Sequence, residues 1–184
     1  MNKLHVQKAV HICEAGGVIA YPTEAVFGLG CIPIYEHSVR RILRLKRRSI
    51  RKGLILVAAN ITQLDEFVDF SKIKNLKMIY DSWPGPVTWL IPAKQMTPSW
   101  LTGIHTTLGV RVSSNQLVKS LCEELGPIVS TSANPKNACP AKSSRRVRSY
   151  FHREIDYVMP ASITNNSNPS EIRDAENGNI LRSG

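Results

Sequence analysis

Apolar positions recur at helical spacing in several segments of this chain. Residues 3–15 have one apolar face and end at a glycine pair, which predicts a first helix. Residues 36–48 have an apolar stripe with Lys46 beside it, which predicts a second helix. Residues 61–80 also have a mostly helical pattern, whereas the pattern over residues 93–108 is typical of a loop.

Two later helices have recognisable starts. Ser113, Ser114 or Asn115 is expected to cap a helix that ends at Gly126. Ser143 is expected to open a helix rich in arginine. Because both starts are polar residues that can accept hydrogen bonds from free backbone N–H groups, the two helix boundaries are predicted from chemistry as well as from periodicity.

Short apolar runs that predict strands separate these helices. They span residues 18–20, 54–58, 87–91, 109–112, 127–129, 156–159, 171–173 and 180–181. Because strands and helices alternate, we predict the α/β class, with a single domain over residues 1–184. The later strands are irregularly spaced, which favours a twisted mixed sheet with flanking helices over a regular doubly wound one.

The charge balance favours anionic partners. Lys and Arg number 24 against 14 Asp and Glu, a formal charge of +10. Such an excess suits a nucleotide, pyrophosphate or RNA, although solubility alone would also account for it. The apolar runs are shorter than a bilayer span, residues 1–20 do not resemble a signal peptide, and the four cysteines are widely scattered. We therefore expect a cytoplasmic protein with free thiols and no membrane contact.

A basic cluster and a strand-end motif are the first candidates for chemistry. Eight basic residues lie between Arg40 and Lys52 with no acidic residue among them, which favours anchored cations over a salt-bridged helical face. Thr23 lies where the first strand ends, a usual place for ligand-facing groups. Gly28 and Gly30 beyond it allow either a close backbone approach or a positive φ. A strand, a turn and a second strand in a core would explain the same stretch.

Motifs for covalent catalysis are lacking, but cations and hydroxyl groups remain. The sequence contains neither a P-loop nor a nucleophile elbow, and its histidines are scattered. Lys46 and Arg48 can hold phosphates, and Arg111, on a strand between valines, suits either a sheet edge or a carboxylate clamp. Residues 130–134, Ser-Thr-Ser-Ala-Asn, suit a capped turn or a polar ligand. Together these groups suit nucleotidyl transfer in an open basic cleft.

Five stretches, in order, resemble the threonylcarbamoyl-AMP synthases of the YrdC type. They are Tyr21–Cys31 (Tyr-Pro-Thr-Glu-Ala-Val-Phe-Gly-Leu-Gly-Cys), Lys46–Arg48, Trp83–Thr88 (Trp-Pro-Gly-Pro-Val-Thr), Ser130–Asn134, and Ser170–Asp174 with Arg182 beyond it. The resemblance covers nearly the whole chain and is greatest for the short, TsaC-like bacterial form. It therefore implies a YrdC-like fold.

The resemblance also implies an activity. Such proteins are nucleotidyltransferases that make threonylcarbamoyl-AMP and pyrophosphate from L-threonine, bicarbonate or CO2, and ATP with Mg²⁺. The product serves tRNA processing, through threonylcarbamoyl-transfer proteins that modify the adenosine beside the anticodon. The resemblance assigns threonine to Thr23, Arg111, Ser130 and Ser170. It assigns the nucleotide to Lys46, Arg48, Ser132, Asn134 and Arg182, with Lys46 and Arg48 as the catalytic pair.

Some features depart from this pattern and leave rivals open. The family usually has Leu-Ser-Gly after Ser-Ala-Asn, whereas this chain has Pro135-Lys136-Asn137, so a further nucleotide contact near Cys139 is not carried over. A basic RNA-binding module without turnover is one rival, and weak tRNA binding alongside the enzyme activity is also open. A carbamoyl-AMP-forming relative is another rival, although it normally lies within a much longer chain.

Overall fold

Helices form where the apolar periodicity and capping residues coincide. The computed structural model describes residues 3–164 and 168–184. Its helices are α1 (Lys3–Glu14), α2 (Glu36–Leu45), α3 (Leu76–Tyr80), α4 (Ser99–Thr102), α5 (Gln116–Leu125) and α6 (Ser144–Phe151). Asn115 caps α5, because its side chain accepts hydrogen bonds from the amides of Leu117 and Val118 at 3.0 and 3.2 Å. Ser143 caps α6 in the same way. Both predicted helix starts are therefore confirmed.

The described strands form one mixed sheet. They are β1 (Ile19–Pro22), β2 (Phe27–Gly30), β3 (Ile55–Ala58), β4 (Val87–Pro92), β5 (Thr107–Val112), β6 (Ile128–Ser132), β7 (Tyr157–Val158), β8 (Glu171–Asp174) and β9 (Ile180–Arg182). Their spatial order is β7-β1-β2-β6-β3-β5-β4-β8-β9. The pairs β1–β7, β3–β5 and β4–β8 are parallel, and the other neighbouring pairs are antiparallel. The predicted α/β class with a mixed sheet is confirmed.

Helices cover both faces of this sheet. On one face α1 and α5 bury Ala9 and Leu121 against strand residues such as Ile19. On the other face α2, α4 and α6 contribute residues that include Ile42 and Phe151 to the larger core cluster. The side chains of both clusters are almost fully removed from water, so burial of apolar surface holds the two helical layers on the sheet.

The prediction of a mostly helical segment over residues 61–80 is wrong. Only a turn at Thr62–Leu64, a turn at Phe70–Lys72 and the short α3 are helical there. Tertiary pairing competes with the helix. Val68 forms a β-bridge with Ala93, and the amide of Asp69 donates to the carbonyl of Pro92 at the end of β4. The predicted loop over 93–108 likewise contains α4 and the start of β5.

Close packing explains the glycines of the Tyr21–Cys31 stretch. Neither Gly28 nor Gly30 has a positive φ. A Cβ on Gly30 would lie 2.8 Å from the ring of Tyr21 and 2.9 Å from the carbonyl oxygen of Val129. The close-approach alternative is therefore the right one, because the buried ring of Tyr21 occupies the space that a side chain would need.

A tight turn at the end of α2 orients the basic cluster. The amide of Arg48 donates to the carbonyl of Leu43, and the amide of Arg47 donates to the carbonyl of Arg44, both at 2.9 Å. These two bonds form a Schellman motif, and Arg47 has the left-handed φ of 50° that the motif requires. The chain therefore reverses between Lys46 and Arg48, and both of these side chains reach the same cavity.

The state of the cysteines and the length of the helices concern the chain as a whole. Cys13, Cys31 and Cys122 are buried and Cys139 is exposed, and all four are free thiols, as predicted. Among the residues described, no helix has the length and apolar character needed to cross a bilayer.

Candidate active site

A cavity of about 1470 Å³ opens beside the middle of the sheet. Strands β3, β5 and β6, the end of α2 and the β8–β9 hairpin contribute to its walls. All nine residues that the sequence nominated line it: Thr23, Lys46, Arg48, Arg111, Ser130, Ser132, Asn134, Ser170 and Arg182. The fold therefore brings together groups that are up to 159 positions apart in the chain.

The charges of the described wall are strongly unbalanced. Eight basic side chains line it: Lys46, Arg47, Arg48, Lys52, Arg111, Lys136, Arg173 and Arg182. The acidic lining residues are Glu24 and Glu171, and each forms an ion pair, with Arg111 and Arg173 respectively. Within the described residues the cations Lys46, Arg48 and Arg182 have no acidic partner. Such unpaired cations attract a polyanion.

Lys46 is a buried ammonium group held by backbone oxygens. It is 6% exposed, and its Nζ donates to the carbonyls of Ser132 and Asn134, the latter at 2.9 Å. Burial, and to a smaller extent the positive charge of Arg48, lowers the pKa of Lys46 from 10.5 to about 8. The group is therefore still mainly charged near neutral pH but loses its proton at a lower pH than an ordinary lysine, and a bound anion would favour the charged form.

Arg48, just after α2, and Arg182, on β9, both line the cavity. Arg48 donates to the carbonyl of Gly53 through Nε at 3.3 Å and Nη2 at 3.0 Å. Arg182 on β9 donates through Nη2 to the carbonyl of Ser170 at 2.6 Å. Burial and, to a smaller extent, the positive charge of Arg182 lower the pKa of Arg48. Anchoring to neutral carbonyls orients these cations and leaves their charge uncompensated.

Arg111 faces the cavity from an interior strand. Its Nε donates to the carbonyl of Gly85 at 2.8 Å, and its Nη2 lies 2.6 Å from Oε1 of Glu24. Strand β5 lies between β3 and β4, so the sheet-edge alternative for Arg111 is wrong. Of the five guanidinium N–H donors, these contacts use two and leave others for a ligand carboxylate.

Hydroxyl groups near Arg111 are already oriented by neighbours. Tyr21 donates from Oη to Oγ of Ser130 at 2.7 Å, so the Ser130 hydroxyl is free to donate its own proton into the cavity. Burial raises the pKa of Tyr21 and keeps its phenol protonated. Thr23 instead donates from Oγ1 to the carbonyl of Val26 at 2.7 Å, which leaves its oxygen as an acceptor toward a ligand.

Ser170 is oriented from β4. The buried Thr88 donates from Oγ1 to Oγ of Ser170 at 3.1 Å. This contact ties the start of the β8–β9 hairpin to the parallel neighbour strand β4. The Ser170 hydroxyl therefore keeps its own proton for a second partner on the cavity side.

The Ser130–Asn134 run combines a strand with a loop anchor. Ser130 and Ser132 lie within β6, where the sequence had suggested the end of a strand. The Asn134 amide donates to the carbonyls of Pro135 and Ala138 at 3.1 and 2.7 Å, so it stabilises the turn after β6, which is one of the two roles expected for this run. Its Oδ1 also lies 3.4 Å from Nζ of Lys46, which links the loop to the cation.

The loop that departs from the family pattern closes by a left-handed residue. Asn137 has a φ of 65°, and it stands where the sequence comparison placed the usual glycine. Asn tolerates this region better than most residues, so the glycine is replaced without loss of the turn. The amide of Lys136 also donates to the carbonyl of Lys46 at 3.0 Å.

The donor set of the cavity does not form a metal cage. In residues 3–164 and 168–184, no three His, Cys, Asp or Glu side chains are grouped so that they could hold an ion. Mg²⁺ in nucleotide sites is commonly held by substrate phosphates, water and one or two carboxylates. The cavity thus fits an ion that is carried mainly by a nucleotide, and not a metal with its own protein ligands.

Three residues that contact the nominated groups were not identified as site residues from the sequence. Tyr21 orients Ser130, Glu24 pairs with Arg111, and Thr88 orients Ser170. All three lie inside stretches that carry the family resemblance, so their presence in those motifs was the available signal. Their contacts span 82 to 109 positions, which periodicity cannot reveal.

Known proteins resemble this chain over its whole length. The family model Sua5_yciO_yrdC, described as "Telomere recombination", matches residues 11–184. A protein of Pseudomonas fluorescens named threonylcarbamoyl-AMP synthase is 47% identical over 99% of this chain and 98% of its own. One of the same name from Pseudomonas savastanoi is 48% identical over the full length of both chains.

A solved structure extends the similarity to the fold. The crystal structure of P. abyssi Sua5 complexed with L-threonine superposes with a TM-score of 0.87 and 27% identity. The match covers 95% of this chain and 52% of that one, so this chain spans about half of the Sua5 length. Because the family model covers nearly every residue and full-length relatives exceed 45% identity, the chain belongs to the Sua5/YciO/YrdC family.

Proposed function

We propose that this protein is a threonylcarbamoyl-AMP synthase, a nucleotidyltransferase that joins L-threonine, bicarbonate or CO2, and ATP and releases pyrophosphate. One observation carries the proposal: unpaired cations and an Arg111-centred group of hydroxyls share one cavity. The first group suits a triphosphate, and the second suits a small hydroxy amino acid. The names of the full-length relatives support the same activity.

The proposed roles divide the cavity into two subsites. Thr23, Arg111, Ser130 and Ser170 bind threonine, with the guanidinium holding its carboxylate. The nucleotide and its phosphates bind Lys46, Arg48, Ser132, Asn134 and Arg182. This division is supported by the hydrogen-bond pattern, because Arg111 has N–H donors to spare while the other cations have only neutral partners.

The proposed reaction needs orientation and charge neutralisation more than covalent catalysis. The bound ammonium group of threonine loses a proton to solvent, and the neutral amine captures CO2 as a carbamate with release of a second proton. A carbamate oxygen then attacks the α-phosphorus in line while pyrophosphate leaves. Lys46 and Arg48 act as the catalytic pair by stabilising the negative charge that develops on the leaving group. Mg²⁺ enters with ATP and supplies further neutralisation of the phosphates.

The proposed function also includes the fate of the threonylcarbamoyl-AMP product. The mixed anhydride would be passed to threonylcarbamoyl-transfer proteins for modification of the adenosine beside the tRNA anticodon. Direct contact with tRNA would be weak and would fall steeply with salt, because it would rest on exposed arginines such as those of α6. A module that only binds RNA would show the same salt dependence but no response to threonine.

Pyrophosphate release is the direct test of this function. The wild-type protein should release pyrophosphate from ATP only when threonine and bicarbonate are both present. Arg48→Ala should abolish release without unfolding the protein, because it removes a half-buried charge and no core volume. Arg44→Ala is the matched control, since Arg44 is an exposed arginine of α2 outside the main cavity. Full activity in Arg48→Ala, or release that ignores threonine, would contradict the proposal.

A further inference from the structure

The carboxylate of Glu24 is the least explained group of the cavity. It lies in the turn between β1 and β2 and lines the cavity next to Thr23. Its Oε1 accepts from Nη2 of Arg111 at 2.6 Å and lies 3.5 Å from Oγ of Ser113. Among the described residues, Oε2 has no hydrogen-bond partner, and about a third of the side chain is exposed. One carboxylate oxygen is therefore available to a ligand.

A purely structural role accounts poorly for this carboxylate. Orienting Arg111 does not require it, because the carbonyl of Gly85 already holds Nε at 2.8 Å. Packing does not require it either, since Glu24 is not buried. The other acidic lining residue, Glu171, is paired with Arg173, which lies two positions along the same strand. Glu24 is thus the anionic group at the Arg111 end of a cationic cavity.

An α-amino acid carries two opposite charges within a few ångströms of each other. Its carboxylate needs a cation, and its ammonium group needs an anion or several acceptors. Arg111 and Glu24 form a preassembled pair of this kind, with free N–H donors on the first and a free oxygen on the second. In a cavity with eight basic lining residues, an ammonium group without a carboxylate partner would be repelled.

We propose that Glu24 binds the α-ammonium group of the amino acid substrate while Arg111 binds its carboxylate. The pair then recognises the zwitterion, and it places the nitrogen beside Thr23 and Ser130. This inference rests on the proposed function and adds a binding residue to it. It also predicts the type of selectivity: molecules that keep the carboxylate and the side chain but lack the amine are rejected, because they leave Glu24 facing a second anion.

Binding of two ligands to matched variants tests the inference. The ligands are L-threonine and its analogue 2,3-dihydroxybutyrate, in which a hydroxyl replaces the α-amine, and binding is followed by calorimetry without ATP. Glu24→Gln should weaken threonine binding by about 10- to 100-fold, the weight of a hydrogen bond to a charged group. The same substitution should leave binding of the analogue unchanged or strengthen it, since a repulsive charge is removed. Glu171→Gln, the same chemical change in the same cavity, should alter threonine binding less than twofold.

The outcomes separate this inference from the proposed function. Wild-type protein that does not bind threonine would contradict the proposed function itself. If wild-type protein binds threonine and Glu24→Gln binds it equally well, the function stands and the inference is wrong. An equal loss of both ligands in Glu24→Gln would also overturn it, because that result means Glu24 only orients Arg111. Circular dichroism and thermal unfolding of each variant exclude global unfolding as the cause.

Discussion

Raising the pH above 8 should weaken binding of ATP to this protein, because the proposed nucleotide subsite contains an ammonium group, that of Lys46, with a lowered pKa. Burial and the neighbouring charge of Arg48 lower the pKa of Lys46 from 10.5 to about 8. A triphosphate beside Nζ favours the charged form and raises the pKa again. ATP binding therefore takes up a proton above pH 8, and its affinity falls as protons become scarce.

The size of the effect follows from the shift. A change from 10.5 to about 8 corresponds to about 3 kcal/mol. If bound ATP restores the ordinary pKa of 10.5, affinity falls by about 300-fold in all, and by no more than about tenfold for each pH unit. Folding stability changes in the opposite direction and rises with pH over the same range. The stabilisation is complete above 10.5, where both states are neutral, and is lost as pH falls toward about 8, since the unfolded chain takes up its proton first.

Calorimetry with a non-hydrolysable ATP analogue measures this coupling directly. Threonine is omitted, because its own amine titrates in the same range. Between about pH 7 and 9.5, buffers with different ionisation heats report the protons taken up on binding. Lys46→Met keeps the side-chain volume and Lys46→Arg keeps a permanent charge, so both variants should bind with little pH dependence above 8.

ATP affinity that does not depend on pH would contradict the role given to Lys46. Wild-type affinity that stays constant from about pH 7 to 9.5 would mean that Lys46 is not titrating beside the nucleotide. An inflection that persists in Lys46→Met would assign the proton to another group. Thermal unfolding of the variants across the same range provides the folding control, since Lys46→Met should lose the rise in stability expected above pH 8.

Three further substitutions test other parts of the structure. Tyr21→Phe removes the donor to Ser130 and should raise KM for threonine about three- to tenfold while KM for ATP is unchanged, so a parallel change in both would count against a positioning role. Arg47→Gly relieves a left-handed φ of 50° and should stabilise the fold by up to about 1 kcal/mol, seen as a higher Tm, whereas Arg47→Val should lower the Tm; the opposite order in thermal melts would be incompatible with strain at this turn. Burial acts to raise the pKa of Asp156, but hydrogen bonds from Arg41 and a backbone amide outweigh it and lower the pKa, so stability is lost as pH falls through that lowered pKa; Asp156→Asn should flatten the acid limb of the stability curve, and an unchanged acid limb would argue against this linkage.

The family motifs were enough to nominate all the lining residues first assigned to the site. Lys46 and Arg48 stood out as an acid-free basic cluster, and the serines of β6 stood out as a polar run after an apolar strand. The motifs could not reveal which hydrogen bonds each group makes or how deeply it is buried. The Thr23 hydroxyl is engaged in its own turn, the Asn134 amide holds a loop, and Lys46 is buried against carbonyls.

Local periodicity failed where distant backbone took part in pairing. The segment 61–80 has helical spacing, yet the bridge from Val68 to Ala93 interrupts the helix. The Arg111–Glu24 pair likewise joins residues 87 positions apart. The choice between a helix and a bridge depends on which partners the sheet brings near, and a one-dimensional pattern does not contain that information.

The amino-acid sequence alone determined the α/β class, the capped starts of α5 and α6, the excess of positive charge and the motifs of the family. These features depend on neighbours within a few positions, where side-chain spacing and hydrogen-bonding capacity are decisive. Tertiary structure alone decided the strand order, the burial of Lys46 and the pairing of Glu24 with Arg111. Those features depend on the electrostatic and packing environment that exists only after distant strands have come together.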